Sequence, residues 1–107
     1  MRNVYFGDTM RHIIEGAIRN RCYLRFTYKG SERVVQPAAI GVSLAGNEVL
    51  RCFQREGTHS TKGHDWDMCL LSKISGLSVT GEKFETPPPG YKRGDKGMVK
   101  IYAELLI

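Results

Sequence analysis

The spacing of apolar residues changes character near residue 21. Residues 8–20, DTMRHIIEGAIRN, carry apolar side chains at Met10, Ile13, Ile14, Ala17 and Ile18, the i, i+3, i+4, i+7, i+8 stripe of an amphipathic helix. Asp8 or Thr9 is placed to accept from the open N–H groups of the first turn, and Arg19 and Arg21 suit the negative end of the helix dipole. Gly16, beside the stripe, suggests close approach of another backbone. From residue 22 the period falls to two. CYLRFTY sets Cys22, Leu24, Phe26 and Tyr28 against Tyr23, Arg25 and Thr27, a strand with one buried face. KGSE turns the chain into RVVQPAAIGVS, a strand bent by Pro37 and Gly41. LAGN turns it again into EVLRCFQRE.

Residues 57–66, GTHSTKGHDW, have no apolar period and make a loop long for a hairpin, which marks it as a functional suspect. DMCLLSKISGLSV then supplies a fourth strand and, past Gly76, a fifth. PPPG at 87–90 is neither helix nor central strand and runs extended. The last stretch, GMVKIYAELLI, fits either period. Met98, Ile101, Tyr102 and Leu105 make a helix with Asp95 near its cap, whereas Val99, Ile101, Ala103 and Leu105 make a strand; the helix is the preferred reading. One helix followed by about five short, mostly antiparallel strands predicts an α+β chain, a small antiparallel β-barrel, because a short sheet hides its edges by curling closed. Pro37 and Gly41 then mark the strand that bends to serve both halves. The helix spans 8–20, the barrel 22–84, and a helical or extended C-terminal segment 85–107.

At 107 residues the chain is sized for one domain, 1–107, with one modest core. Its apolar fraction of 41% and charged fraction of 25% are those of a globular protein. No run approaches the roughly 20 apolar residues of a membrane span, and MRNVYFGDTM has no signal-peptide pattern. Cys22, Cys52 and Cys69 are an odd set in no knuckle spacing, as expected of reduced thiols in a cytoplasm. A net charge of +5 suits an anionic partner without specifying one.

The order of these pieces resembles the WYL domain, an Sm-like β-barrel found in bacterial transcription regulators and in proteins linked to defence against phage. The resemblance runs over residues 10–84. It rests on Ala17-Ile18 in the helix, Tyr28 at the end of the first strand, Arg33 four residues before Pro37, Leu50 at the third position of the naming triplet, Lys73-Ile74 where the family usually has Arg-Ile, and Phe84. Glu48-Val49-Leu50 stands where the family has Trp-Tyr-Leu, and DWDMCLL holds no counterpart of the arginine that commonly precedes the Arg-Ile pair. Gln54, Gly57, Ser60 and Trp66 are similar to a stretch in short uncharacterised bacterial proteins, which makes this a divergent stand-alone relative. About twenty residues precede the barrel, too few for a helix-turn-helix. The resemblance implies a ligand-sensing or nucleic-acid-binding barrel, with the ligand and a regulatory role left open and basic pocket residues in the region of Arg33.

Strand three puts Val49, Arg51, Phe53 and Arg55 on one face and Leu50, Cys52 and Gln54 on the other. Guanidinium groups beside an aromatic ring grip phosphates and stack on bases, and Arg25, Arg33 and Lys73 lie on neighbouring elements. The plain alternative is a solvated face with Arg–Glu pairs to Glu32 or Glu48. In the polar loop, Gln54, Ser60 and Thr61 supply donors, Gly57 and Gly63 free the backbone, and Trp66 offers a flat surface; together they suit a phosphate nest or a plain hairpin anchored by its tryptophan. Cys52, His59, His64 and Cys69 have a spacing unlike a zinc site, and no triad-like set singles out a nucleophile, so neither metal, cofactor nor catalysis is expected. PPPGYKRGDKG holds Lys92, Arg93 and Lys96 beside Tyr91, a basic, aromatic-tipped segment that either touches a nucleic acid or partner chain or simply connects. The reading is a non-enzymatic module for single-stranded nucleic acid or a nucleotide, with Arg25, Arg33, Arg51, Arg55 and Lys73 on phosphate, Phe53 and Trp66 stacking, and Gln54 and Ser60 hydrogen-bonding. The alternative is a protein-interaction or assembly subunit using its terminal helices, with apolar IYAELLI favouring a homodimer.

Overall fold

The computed structural model describes residues 7–57 and 65–107. One helix, α1 (Gly7–Asn20), leads into β1 (Cys22–Tyr28), β2 (Ser31–Ser43), β3 (Glu48–Gly57), β4 (Trp66–Leu70) and β5 (Ser75–Lys83), with a single 3₁₀ turn, Leu71–Lys73, between the last two. A sixth strand, β6 (Met98–Glu104), follows. All pairings are antiparallel, in the order β4-β3-β2-β1-β5, and β6 lies against β2.

The apolar stripe of α1 does what its spacing predicts. Met10, Ile14, Ala17 and Ile18 are buried in one cluster with Leu24, Phe26, Tyr28, Val35, Ile40, Leu50, Cys52 and Cys69 of the sheet. Glu15 bridges Arg11 (3.4 Å) and Arg19 (3.5 Å) one turn to either side along the helix. Gly16 differs from expectation. A methyl group added there would meet nothing within 4 Å, so this glycine is not made necessary by a close neighbour.

β2 explains the sheet. Residues 31–35 pair with β1, and residues 39–43 pair on the same edge with β6. β3 runs along the other edge from Arg33 to Val42. One strand thus exchanges one neighbour for another over residues 36–38. Pro37 sits in that hand-over, paired with neither β1 nor β6, where a missing N–H leaves no bond to either strand unmade. Ala38 is the extra residue of a bulge against β3, and its carbonyl accepts the Leu105 N–H at 2.9 Å. At Gly41 the β6 backbone comes so close that an added Cβ would collide with the Lys100 carbonyl oxygen.

Two expectations are corrected. The sheet is not closed into a barrel; β4 and β5 end it without pairing to each other. The open sheet is instead built out by added pieces: α1 covers one face, β6 takes the edge left by β1 along the second half of β2, and residues 84–97 cross the other face. The C-terminal apolar stretch is a strand rather than the preferred helix. Val99 and Tyr102 are extra residues in its ladder with β2, and two bulges in seven residues stretch a period of two into the spacing of three at Met98, Ile101 and Glu104. The same register leaves Asp95 as a turn residue, its Oδ1 accepting the Gly97 N–H at 2.8 Å, rather than a helix cap.

Candidate functional site

Cross-strand register aligns Gln36, Phe53 and Trp66 in one row on the face away from α1. Residues 84–97 are laid over that face by specific contacts. Phe84 meets Tyr23 edge-to-face at 5.3 Å, Gln36 Nε2 donates to the Thr86 carbonyl at 3.2 Å, and Trp66 Nε1 donates to the Pro89 carbonyl at 2.8 Å. Arg51 then takes Asp95 in a forked pair, Nε to Oδ2 at 2.7 Å and Nη2 to Oδ1 at 3.3 Å. Past Pro89 the segment is tied to the C-terminal residues: Tyr91 Oη donates to the Leu105 carbonyl (2.8 Å), Arg93 Nη2 to the Leu106 carbonyl (2.7 Å), and the Gly94 N–H to Glu104 Oε1 (2.8 Å).

Folding the segment back in this way creates a cleft of about 450 Å³ whose walls include Arg51, Trp66, Tyr91, Lys92, Arg93 and Lys96. Asp95 is its one carboxylate among the described residues. The hydrogen bond from Arg51 holds that carboxyl below its ordinary value, helped by the Gly97 N–H and opposed by burial, and the same hydrogen bond raises Arg51. Burial, with Glu104 nearby, pushes Tyr91 up to about 12, so its phenol stays neutral. Lys92 and Lys96 are exposed and have no ion-pair partner among the described residues. Trp66 is held from behind by Phe53, edge-to-face at 5.5 Å.

The other residues expected at a site are scattered. Arg25 is exposed on β1 and pairs with Glu32 of β2 at 3.2 Å. Arg33 lies on the face toward α1, its side chain only 6% exposed, paired with Asp67 at 2.9 Å and 5.3 Å from the centre of the Tyr28 ring. Gln54 shares that buried face, and neither of its amide atoms has a partner among the described residues. Arg55 is the extra residue of a β3 bulge and stands 5.8 Å from the Tyr23 ring. Lys73 is exposed in the 3₁₀ turn. Ser60 lies outside the described residues, as do Thr61, Gly63, His59 and His64. The cleft therefore unites Arg51 and Trp66, backed by Phe53, with Tyr91, Lys92, Arg93 and Lys96. Their basic-aromatic composition was visible in the sequence, but not that they fold back onto β3.

Cys52 and Cys69 are both buried. A hydrogen bond with Cys69 and complete burial push the Cys52 thiol well above its usual range, which keeps it protonated near neutrality. Among the described residues no three His, Cys, Asp or Glu side chains gather as metal ligands, and no helix is long and apolar enough to cross a membrane. A second cavity of about 420 Å³, at Met10, Asn47, Glu48, Leu71, Ser72 and Ile74, has no basic wall among the described residues; Glu48 Oε2 accepts the Tyr102 hydroxyl at 3.0 Å.

Because Asp95 is depressed in the folded chain, its stabilising contribution is present above its ordinary pKa of 3.8 and is lost as pH falls through the lower folded value. Trp66, the single tryptophan, reports on this latch. An acid titration of its fluorescence is expected to show a step below about pH 4 that disappears in Asp95→Asn. Persistence of the same step in the variant would assign it to another group.

Matched against family models, curated proteins and solved structures, the chain finds no counterpart. Fold and site together define its class: an α+β protein with an open, bent antiparallel sheet, carrying a basic, aromatic-walled cleft under a folded-back segment.

Proposed function

We propose that the chain is a non-enzymatic binding module for an anionic ligand, nucleic acid or nucleotide, and that the cleft at Arg51, Trp66, Tyr91, Lys92, Arg93 and Lys96 is where it binds. The observation carrying this reading is that two lysines with no ion-pair partner among the described residues share one cleft with a fixed tryptophan. Ammonium groups neutralise phosphate, and a rigid aromatic surface takes a base. The WYL resemblance agrees in kind, since it implies a ligand-sensing or nucleic-acid-binding domain. A helix leading five consecutive antiparallel strands, the second long and bent, is what supports an Sm-like relation despite the open sheet.

The test is binding of labelled single-stranded RNA, single-stranded DNA and nucleotides at several salt concentrations. Lys92→Ala/Lys96→Ala is expected to weaken binding and to lower the slope of log K against log salt by about 2. Arg25→Ala/Lys73→Ala serves as the off-site control and is expected to change the slope little. Absence of salt-sensitive binding to any of these ligands would sink the proposal.

A second reading, an assembly subunit, is favoured by the exposure of Leu44 (72%), Val99 (66%) and Leu106 (70%). A monomeric mass by light scattering, unchanged by Val99→Glu and Leu106→Glu, would remove it.

A further inference from the structure

The anion-binding reading of the cleft has a sharper form, which rests on that reading. We infer that the cleft stacks an unpaired base of a nucleic-acid strand without distinguishing which base it is.

Direct readout of a base needs donors and acceptors with fixed geometry and free valence. The fixed side-chain groups of this cleft are engaged by the protein itself. Trp66 Nε1 is held by the Pro89 carbonyl at 2.8 Å, and Tyr91 Oη by the Leu105 carbonyl at 2.8 Å. Arg51 commits Nε and Nη2 to Asp95 at 2.7 and 3.3 Å. Asp95 Oδ1 accepts from the Gly97 N–H as well, at 2.8 Å. Arg93 gives Nη2 to the Leu106 carbonyl at 2.7 Å. These bonds orient the aromatic rings and take the indole N–H, the phenol proton and the paired edge of Arg51 out of base-edge readout.

What remains is an aromatic wall, the ammonium groups of Lys92 and Lys96 on flexible stems at the solvent side, and the uncommitted N–H groups of Arg51 Nη1 and the exposed Arg93, all of them cationic donors that suit phosphate. An ammonium is a rotatable point charge that suits phosphate and imposes no planar geometry. Every base has a π-face, so stacking with diffuse charge is tolerant of sequence. In a duplex both faces of a base are already covered, so this chemistry selects unpaired strands. A polymer also places phosphates on either side of the stacked base, where a mononucleotide has them on one side only. Arg51 is accordingly a positioning residue: it holds Asp95 and the turn at Gly97.

The test uses the whole chain and three single-stranded homopolymers of equal length, dT, dA and dC, with a hairpin duplex and inorganic polyphosphate as comparators. Trp66 is the only tryptophan, so stacking reads out directly as quenching of its fluorescence. All three strands are expected to quench, with affinities within about threefold of one another. The duplex is expected to quench little, and polyphosphate to bind without quenching. Trp66→Leu, followed by anisotropy of a labelled strand, is expected to lose strand binding while keeping polyphosphate binding. A preference of about tenfold or more for one homopolymer, or strand binding without quenching, would overturn the inference while leaving anion binding intact. Failure of polyphosphate and every strand to bind would overturn both. If Trp66→Leu does not fold, the quenching series on the unaltered chain decides by itself.

Discussion

Gly41→Ala is expected to destabilise the fold by about 3 kcal/mol, a cost at the upper end for forcing atoms into a packed site. The added methyl has nowhere to go. It points at the Lys100 carbonyl, and the next nearest atoms are the Lys100 carbonyl carbon and the Ile101 Cα, each at 3.0 Å. All three are backbone, so no side-chain rotation relieves the contact. β6 must move away from β2, giving up its ladder with residues 39–43 and exposing Met98 and Leu105, which are now 8% and 1% exposed. Urea unfolding should show the loss, and the melting temperature should fall by roughly 12 °C. Gly16→Ala is the matched control, with open space at its Cβ and a helical backbone. It is expected to be neutral or to gain up to about 1 kcal/mol. If Gly41→Ala melts with the unaltered chain, β6 does not depend on close approach at this point.

Asp67→Ala is expected to cost about 3 kcal/mol, because it strands a charged guanidinium inside the fold. Arg33 is almost wholly enclosed, and Asp67 supplies its one ion-pair partner among the described residues. The carboxylate itself is 35% exposed, which keeps the effect at the lower end for a broken buried pair. Arg25→Ala breaks a pair of the same length class at the surface, with side chains 48% and 66% exposed, and is expected to cost less than about 0.5 kcal/mol. The mechanism has its own signature. Arg33→Met/Asp67→Leu, which removes both charges, should recover most of the stability lost in Asp67→Ala. A double variant no more stable than the single would show that the pair's charge is not what matters.

Where the apolar period was unbroken, the sequence could be read to within a residue or two. The stripe from Met10 to Ile18 became α1, and the alternation from Cys22 to Tyr28 became β1. Pro37 and Gly41 suggested a strand bent to serve both halves of a barrel; the barrel is absent, yet β2 does pair with β1 along its first part and with β6 along its second. The misreading at β6 came from its bulges at Val99 and Tyr102, which give a strand the spacing of a helix. Closure into a barrel was a property of edges that local periodicity does not encode. For the site, strand parity put Arg51 and Phe53 on one face and Gln54 on the other, which holds. What parity does not carry is which face meets α1. Arg33 and Gln54, offered as ligand contacts, therefore turned out to be interior groups. The cleft itself depends on contacts such as Arg51 with Asp95, 44 positions apart. Nothing local in GYKRGDKG says where it will lie.

The exchange of neighbours along β2 also sets an order of events during synthesis. β1, β2 and β3 are consecutive and can pair as soon as they leave the ribosome, since they need only short loops to close. The second half of β2 must wait for residues some sixty positions later in the chain to complete its other edge. Throughout that interval residues 39–43, paired with β3 on one side, present one unpaired edge with a glycine at its centre, open to a strand from any neighbouring chain. A nascent polypeptide halted before Met98 has every other strand in hand and still lacks the piece that seals this edge. Its characteristic failure is therefore association between incomplete chains rather than loss of secondary structure.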